Sequence, residues 1–272
     1  GFTAVAVLQL AERHRLSLHD SLSSFFADVP PDKRAITIRQ LLTHTAGLAD
    51  SYAGAHQADR RAAVRAILAQ PLAYRPGAGY QYGDDDYELL AAIVEVTAHR
   101  SWEAVVQREI LDPGGLRHTG FWCRRRSGVP LPVAGAEGAR SRCGGAGNAA
   151  LDDWGHRGAD GMSSTAIDLL RWTRPSTLAK VLGPAGRLAF GTPQVLVRRE
   201  PPDDVSYGYG LRIYTREGRV TEIMHSGSGD DGHTGVVRLL PSGLTVIVLS
   251  NAGMRGGTTW SSHVARLLAS RY

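Results

Sequence analysis

The sequence has little lysine, few cysteines and no long apolar run, and each shortage narrows the possible classes of protein. Only Lys33 and Lys180 are lysines among 31 basic residues, and the arginines are spread along the chain apart from a cluster at 124–126. No aromatic residues or nucleic-acid-binding motif accompany that cluster, so we expect no nucleic-acid partner. Because no run of 18 apolar residues occurs, we expect no membrane span.

Several catalytic and binding motifs are also missing. There is no G-x-S-x-G, which disfavours an α/β-hydrolase. There is no H-x-H or H-E-x-x-H spacing, so we expect no metal site. The glycines at 227, 229 and 232 are followed by a predicted strand, whereas a dinucleotide site needs a helix there, so we expect no cofactor. The two cysteines, Cys123 and Cys143, leave both a disulfide and two free thiols open.

Apolar periodicity and capping signals predict helices through the first part of the chain. Thr37-x-x-Gln40 is a capping box for a short helix that we expect to end at Gly47. Thr165-x-x-Asp168 similarly caps a helix at 166–173. The other predicted helices are 1–14, 59–70, 84–98 and 101–110, the last stopped by the Asp-Pro-Gly-Gly at 112–115. The stretch 121–160 has no periodicity and is predicted as a long excursion.

Carboxylates occupy the first turn of the helix predicted at 84–98. Asp84, Asp85, Asp86 and Glu88 lie there, where negative charge complements the positive end of the helix dipole. They lack the spacing of a calcium loop. We expect Asp85 and Asp86 to do no more than cap the helix.

Strand periodicity replaces helical periodicity from Val205 onward, through 207–214. A strand at 219–224 is predicted to end at His225-Ser226-Gly227, beside a glycine-rich loop that lets backbone N–H groups approach a ligand closely. A hairpin with strands 236–240 and 244–249 follows, turning at Pro241-Ser242-Gly243. The second of these strands is apolar almost throughout, which favours burial on both faces. A closing amphipathic helix is expected to pack on the sheet.

Five segments in a fixed order carry a family resemblance. They are LLTHTAGL (41–48), PGAGYQYGDDDYELL (76–90), GADGMSSTAIDL (158–169), YGYGL (207–211) and HSGSGDDGHTG (225–235). Together they resemble the serine β-lactamase-like hydrolases, in the branch of class C β-lactamases, carboxylesterases and D-amino-acid peptidases.

The resemblance implies an α+β fold in which helices flank an antiparallel β-sheet and a mostly helical subdomain adjoins it. Residues 1–272 would form one catalytic domain, with a mainly helical part at 1–192 and the sheet and C-terminal helix at 193–272. The N-terminal strands that complete the family's sheet are not expected within this chain.

The resemblance also implies roles for particular residues. Tyr82-Gly83-Asp84 matches the family's Tyr-x-Asn motif, so Tyr82 would take part in the proton transfers to and from a serine nucleophile. His225-Ser226-Gly227 matches its Lys-Thr-Gly or His-x-Gly, and Ser226 or His225 would complete the network. The backbone N–H of Ser228 would be an oxyanion donor. His44 is expected to be a hydrogen-bonded structural residue near the cleft.

Two departures from the family's pattern matter. The family's Ser-x-x-Lys does not occur in residues 1–272, and the resemblance places it directly before Gly1; we therefore expect an N-terminally truncated chain that is inactive as it stands. Asp84 replaces the usual asparagine, and its carboxylate would favour the charged form of the base lysine. Since His225 also stands where class C β-lactamases carry lysine, the departures favour an esterase or peptidase over a lactamase.

These inferences lead to one functional hypothesis and one alternative. The hypothesis is a serine hydrolase that cleaves a small-molecule ester, amide or lactam through an acyl-enzyme. The alternative is a non-catalytic relative that only binds ligands. An exported location is favoured by the resemblance alone, and the oligomeric state stays open. In either case Tyr82 and His225 should converge on one pocket that faces the amino end of the opening helix.

Overall fold

A computed structural model describes residues 1–55, 57–121, 154–228, 234–239, 241–250 and 260–269. The two cysteines, and most of the excursion predicted at 121–160, lie outside these ranges. No helix in the described part of the chain is long and apolar enough to cross a membrane.

The regular secondary structure of the described chain before residue 191 is almost entirely helical. They are α1 (Phe2–Glu12), α2 (Ile38–Leu42), α3 (Arg60–Ala69), α4 (Asp84–Ala98), α5 (Trp102–Val106), α6 (Asp112–Gly114), α7 (Ala166–Trp172), α8 (Pro175–Val181) and α9 (Pro184–Phe190). Single turns of 3₁₀-helix at Leu22–Ser24 and of π-helix at Gln107–Leu111 supplement them. A two-stranded ladder of β1 (Gly120–Phe121) and β2 (Met162–Ser163) joins 120–121 to the segment before α7.

The helical core surrounds α1 and α4. Residues 3–10 of α1 are all buried, and residues 85–95 of α4 are buried as well. Such helices, buried on nearly every side, need neighbours all round. Helix α1 packs against α4, α5 and α9, and α4 packs against α2 and α3. The two helices therefore form the centre of the helical part of the molecule.

The capping signals correctly predicted where helices begin, whereas the predicted ends of two helices were wrong. The capping box at Thr37 and Gln40 is present in both directions. Helix α2 ends at Leu42 rather than at Gly47, because the chain turns at His44 into the left-handed region, with a φ of 55°. Asp112-Pro113-Gly114 continues the helical path beyond Ile110, since proline is tolerated in a first turn, and the path ends at Gly115 with a φ of 68°.

A six-stranded antiparallel sheet follows the helices, as the fold class predicted. Its strands lie in sequence order: β3 (Val195–Glu200), β4 (Asp203–Tyr207), β5 (Arg212–Arg216), β6 (Arg219–Ser228), β7 (Thr234–Leu239) and β8 (Thr245–Ser250). The strand predicted through 207–214 is in fact two strands, because the glycine-containing residues 208–211 turn the chain between β4 and β5. Helix α10 (Trp260–Ala269) packs on β7 and β8.

Strand β6 is longer than the sequence predicted. It continues through His225 to Ser228, where each residue pairs with β7, from His225 opposite Val237 to Ser228 opposite Thr234. The pairing with β5 stops earlier, at Met224 opposite Arg212. The last four residues of β6 thus lie beyond the end of β5, and their edge on that side has no strand partner among the described residues.

Strand β8 is not buried on both faces, so that prediction was wrong. Val246 is buried, but Leu249 is 44% exposed and the other residues of the strand are only partly buried. The reason is topological: β8 pairs only with β7 within the described chain and so lies at an edge of the sheet. An apolar run cannot distinguish an edge strand from a central one.

The turn after α2 depends on Gly47, which gives a testable prediction. Gly47 has a φ of 77°, and a Cβ atom there would lie 2.2 Å from the carbonyl oxygen of Tyr74. Gly47→Ala should lower the free energy of unfolding by about 1–3 kcal/mol, measured by urea denaturation. Gly79→Ala is a matched control, because its Cβ would meet the same tyrosine ring at an ordinary 3.6 Å. Equal losses in the two variants would contradict this account.

Candidate active site

The site is built around the imidazole of His44, which is 1% exposed. Its Nδ1 lies 2.7 Å from Oδ2 of Asp86 on α4, and its Nε2 lies 3.2 Å from the hydroxyl of Tyr207 on β4. The backbone carbonyl of His44 accepts hydrogen bonds from the N–H of Gln81 and the hydroxyl of Tyr74. The expectation of a hydrogen-bonded structural histidine is confirmed, and its bonds join the helical part of the chain to the sheet.

Four tyrosine rings surround this imidazole. Their ring centroids lie 4.5 to 6.2 Å from that of His44, in the order Tyr82, Tyr207, Tyr87 and Tyr80. Such distances are those of packed aromatic pairs. Burial among these groups lowers the pKa of His44 to about 3, so the ring is neutral at physiological pH.

Tyr82 lies at the exposed side of this aromatic cluster, just before α4. Its side chain is 41% exposed, so a ligand in solvent can reach it. Partial burial raises the pKa of its phenol above the usual range, and the negative charge of Asp84 adds to the effect. In the chain as described Tyr82 is therefore a neutral phenol at pH 7, able to donate a hydrogen bond.

Asp84 opens α4 next to Tyr82, as the sequence predicted, in an acidic environment. Burial first, and then Asp160 and Asp50, raise the pKa of Asp84 to about 6. Asp160 belongs to the GADG segment after the undescribed region, so two of the sequence markers meet here. Asp84 is mostly ionised at pH 7 and becomes neutral in mild acid.

Asp85 and Asp86 are buried hydrogen-bonding groups rather than simple caps, which corrects the prediction. Asp85 accepts hydrogen bonds from the N–H groups of Ala53 and Gly54 and from the hydroxyl of Ser51. Asp86 bonds to His44. The two carboxyl groups anchor the segments that precede the helix, because the first turn of α4 is covered by those segments.

The other predicted group of residues, His225 to Ser228, lies on the part of β6 that extends past β5. Burial lowers the pKa of His225 to about 3, and Arg212 and His44 are among the further causes. His225 is therefore neutral at pH 7 and lies near both of these residues. Gly227 is exposed, and a Cβ atom there would meet no atom of the described residues within 4 Å. On the β5 side, the backbone groups of β6 at 225–228 have no strand partner among the described residues, so a ligand could pair with them.

The amino end of α1 lies close to both groups of residues. At Gly210, which has a φ of 77°, a Cβ atom would lie 3.0 Å from the Tyr87 hydroxyl and 3.5 Å from the Cα of Gly1. His44 is also among the groups that act electrostatically on His225. Tyr82, through its contact with His44, and His225 are thus brought to the same region, beside the start of α1.

Sequence reasoning missed several neighbours of the site. Tyr80 and Tyr207 lie within markers that were recognised, but no role was assigned to them. Arg212 carried no signal; its guanidinium lies beside Tyr80, where charge and hydrogen bonding lower the pKa of that phenol against the effect of burial. Their proximity arises from the packing of β4 and β5 against the loop before α4, which no local pattern reports.

Below the site, Glu88 joins α4 to the segment at 158–159. Its buried carboxyl group accepts hydrogen bonds from the N–H groups of Gly158 and Ala159 at 3.3 and 3.2 Å. The hydroxyl of Thr3 on α1 donates to the carbonyl of Gly158 at 2.6 Å. Burial raises the pKa of Glu88 to about 8 despite the two hydrogen bonds. This group is therefore protonated at neutral pH.

A comparison with protein-family models decides the affiliation. The Beta-lactamase family model matches residues 1–259. The chain belongs to the Beta-lactamase family. A search of the described side chains found no group of three or more histidine, cysteine, aspartate or glutamate residues arranged to hold a metal ion.

Relatives within and around this family are penicillin-binding proteins and amidases. Putative penicillin-binding protein PbpX of Bacillus subtilis is 30% identical over 132 residues, which are 48% of this chain and 33% of PbpX. Among solved structures, a penicillin-binding protein from Bacillus halodurans has a TM-score of 0.78 at 21% identity, covering 100% of this chain and 82% of that one. The D-amino acid amidase from Ochrobactrum anthropi SV3 has a TM-score of 0.75 at 18% identity, covering 99% and 82%.

These likenesses differ in what they support. The sequence match to PbpX spans only about a third of that protein's length. The solved structures have low sequence identity to this Beta-lactamase family member, so they show only that it has the same fold. The helices and antiparallel sheet inferred from the sequence are thereby confirmed at the level of the whole fold.

The buried carboxyl group of Glu88 leads to a prediction about pH. Its pKa is raised from 4.5 to about 8 on folding, so the native state binds the proton more tightly. The contribution to stability is present below pH 4.5 and is lost as the pH rises towards 8, at about 1.4 kcal/mol per unit of pKa difference. Glu88→Gln should therefore lose less stability than the wild type between pH 5 and 8. Urea denaturation across that range measures the free energy of unfolding at each pH, with the exposed Glu200→Gln as the control. Parallel curves of stability against pH for the wild type and Glu88→Gln would contradict this prediction.

Proposed function

We propose that this chain forms the substrate cleft of a serine hydrolase that cleaves a small-molecule ester or amide through an acyl-enzyme. The nucleophile and base would come from a Ser-x-x-Lys segment directly before Gly1. One observation carries the proposal: an accessible phenol, Tyr82, and an open strand edge at His225–Ser228 lie in one region beside the amino end of α1. Membership of the Beta-lactamase family supports it.

The geometry suggests a division of roles. A serine hydroxyl is a poor nucleophile until a neighbouring base takes its proton, and the leaving group then needs an acid. Tyr82, held before α4 and in contact with the His44 ring, would pass that proton between the serine, the lysine and the leaving group. The positive charge of the lysine would lower the pKa of Tyr82 towards a working range. The N–H of Ser228, on the open end of β6, would donate to the oxyanion.

The electrostatics favour esters and amides over lactams. His225 is neutral, so it offers no positive charge to the carboxylate that a lactam antibiotic carries. Asp84 is mostly ionised at pH 7, and its negative charge would hold a nearby lysine in the protonated form. Among the relatives, an amidase acting on D-amino acids has the same fold, which supports D-amino-acid amides as one class to test.

Covalent labelling tests the proposal most simply. The protein extended upstream of Gly1 should gain one fluorophosphonate adduct, seen by mass spectrometry, on the serine of Ser-x-x-Lys. Residues 1–272 alone should gain none and should not turn over chromogenic esters or cephalosporins above background. If the extended protein carries no Ser-x-x-Lys or stays unlabelled, the proposal fails in favour of a non-catalytic ligand-binding protein. A labelled 1–272 chain would contradict the assignment of the nucleophile.

Tyr82→Phe in the extended protein tests the proton transfer. Loss of the hydroxyl should slow acylation by about 100- to 10,000-fold, the usual effect of an acid–base group, while substrate binding changes little. Pre-steady-state kinetics with a p-nitrophenyl ester separate the two effects. Tyr80→Phe, which removes a phenol from the same loop, should slow acylation far less. Equal rates for Tyr82→Phe and the wild type would remove Tyr82 from the mechanism.

Asp84→Asn tests whether the Asp84 carboxylate slows lactam hydrolysis by keeping the lysine protonated. The pKa of about 6 applies to Asp84 in the chain as described, and the charge of the lysine lowers it by as much as Asp84 raises the pKa of the lysine. The variant should therefore acylate faster with a cephalosporin from pH 6 upward, and the difference should shrink as the pH falls below 5. We expect a gain of about tenfold at pH 8, the effect of lowering the pKa of the lysine by one unit. Asp160→Asn, which removes a nearby charge without restoring the family's asparagine, should give a smaller gain. A pH-independent difference would contradict the role given to Asp84.

A further inference from the structure

The carboxyl group of Asp86 is buried in an environment that does not favour its charge. The residue is 3% exposed. One oxygen lies 2.7 Å from Nδ1 of His44, and the other has no hydrogen-bond partner among the described residues. No lysine or arginine forms an ion pair with it in the described part of the chain. The charged groups that act on it are the carboxylates of Asp50 and Asp85, and it faces the phenols of Tyr74, Tyr80 and Tyr87.

We propose that Asp86 is a neutral carboxylic acid that donates its proton to Nδ1 of His44, which fixes the imidazole as the Nε2–H tautomer beneath Tyr82. His44 and Asp86 are then positioning residues for Tyr82. The direction of each hydrogen bond in the network can be followed from its far end, and it decides which atom carries the proton at Nδ1 of His44.

The far end of the network is a backbone carbonyl. The hydroxyl of Tyr87 lies 3.1 Å from the carbonyl oxygen of Leu42, and since a carbonyl only accepts, Tyr87 donates. The oxygen of Tyr87 is then free to accept a hydrogen bond, and the neighbouring hydroxyl of Tyr207 lowers the pKa of Tyr87 against the effect of burial, as a donor there would. The hydroxyl of Tyr207 lies 3.2 Å from Nε2 of His44, and a Tyr207 that directs its own proton to Tyr87 accepts from Nε2–H. A neutral imidazole protonated at Nε2 has only an acceptor at Nδ1, so Asp86 supplies the proton there.

The opposite arrangement has an ionised Asp86 that accepts from Nδ1–H. It would bury a carboxylate with a single hydrogen bond, one unpartnered oxygen and two other carboxyl groups nearby. The position of Asp86 in the first turn of α4 favours negative charge, but a helix dipole contributes much less than the cost of burying an unpaired carboxylate. Burial and these neighbours raise the pKa of Asp86 well above its usual range, and burial lowers that of His44 to about 3. Both groups are thus neutral.

The neutral pair holds Tyr82 without placing a charge beneath it. The His44 ring lies 4.5 Å from that of Tyr82, and the His44 carbonyl holds the preceding residue through the N–H of Gln81. An ionised Asp86 would add negative charge behind the cluster and would oppose deprotonation of its phenols. The catalytic consequence rests on the proposed function, whereas the protonation state of the pair does not.

Nitrogen-15 NMR of the imidazole tests the protonation state directly. Long-range ¹H–¹⁵N spectra of the labelled protein, with His44 assigned by its loss in His44→Gln, distinguish the two tautomers and the imidazolium. We expect the Nε2–H pattern at pH 7. An Nδ1–H tautomer or an imidazolium would overturn the proposal, whatever the catalytic activity of the protein.

Three variants separate positioning from simple structural support. In Asp86→Asn the amide N–H₂ can donate to Nδ1 as the carboxylic acid does, so His44 should keep the Nε2–H tautomer, and the fall in stability with rising pH should become shallower. Asp86→Ala removes the donor and should broaden or shift the His44 signals. Asp85→Asn, a buried carboxyl group on the same turn, is the control and should leave the His44 tautomer unchanged. A switch to the Nδ1–H tautomer in Asp86→Asn would show that a donor at position 86 does not fix the imidazole, which contradicts the positioning role.

In a catalytically competent extended protein the same variants give a kinetic readout. Asp86→Ala should lower kcat by up to about 100-fold with a smaller change in KM, the effect expected when a catalytic group is misplaced. Asp86→Asn should restore most of that loss. If both variants lower kcat equally while the tautomer is as expected, the pair does not position Tyr82. If no variant or wild type shows turnover, the proposed function fails, and the tautomer result still stands.

Discussion

The bonds of His44 are the constraint on which the rest of the site depends. One ring nitrogen lies against α4 and the other against β4, so a single imidazole joins the helical part of the chain to the sheet. The aromatic cluster around the ring fills the space between these elements. This arrangement sets where Tyr82 lies relative to the open end of β6, because each is placed by the element from which it projects.

The site is acidic but holds little fixed charge at its centre. The buried carboxyl group of Glu88 is protonated at pH 7, burial raises the pKa of Asp86 well above its usual range, and the histidines at 44 and 225 are neutral. The accessible charges lie at the rim, negative at Asp84 and positive at Arg212. Desolvation is the first cause of each shift, so the same packing that positions the groups also removes their charge. A nucleophile and lysine at the start of α1 would enter a low-dielectric setting where one charge has a large effect.

Local signals in the sequence were sufficient for much of the fold. The capping box at Thr37 and the bounds of α4 follow from residues within one helical turn, and the structure has them as predicted. The length of β6 and the exposure of β8 depend on which strands pair, and no pattern within a strand contains that information. For the same reason Asp85 and Asp86 resembled helix caps, since their hydrogen-bond partners lie 31 to 42 positions earlier in the chain. The roles of Tyr82 and Asp84 and of the four residues His225 to Ser228 stay predictions.

The most direct test of the account is whether Tyr82 and His225 respond to one ligand. In a protein labelled at tyrosine and histidine, NMR titration with D-phenylalanine amide should shift the ring signals of Tyr82 and His225 together, with the same dissociation constant, and those of the remote Tyr214 should not move. A ligand that shifts one residue and leaves the other unchanged, or two different binding constants, would contradict a shared cleft beside the start of α1.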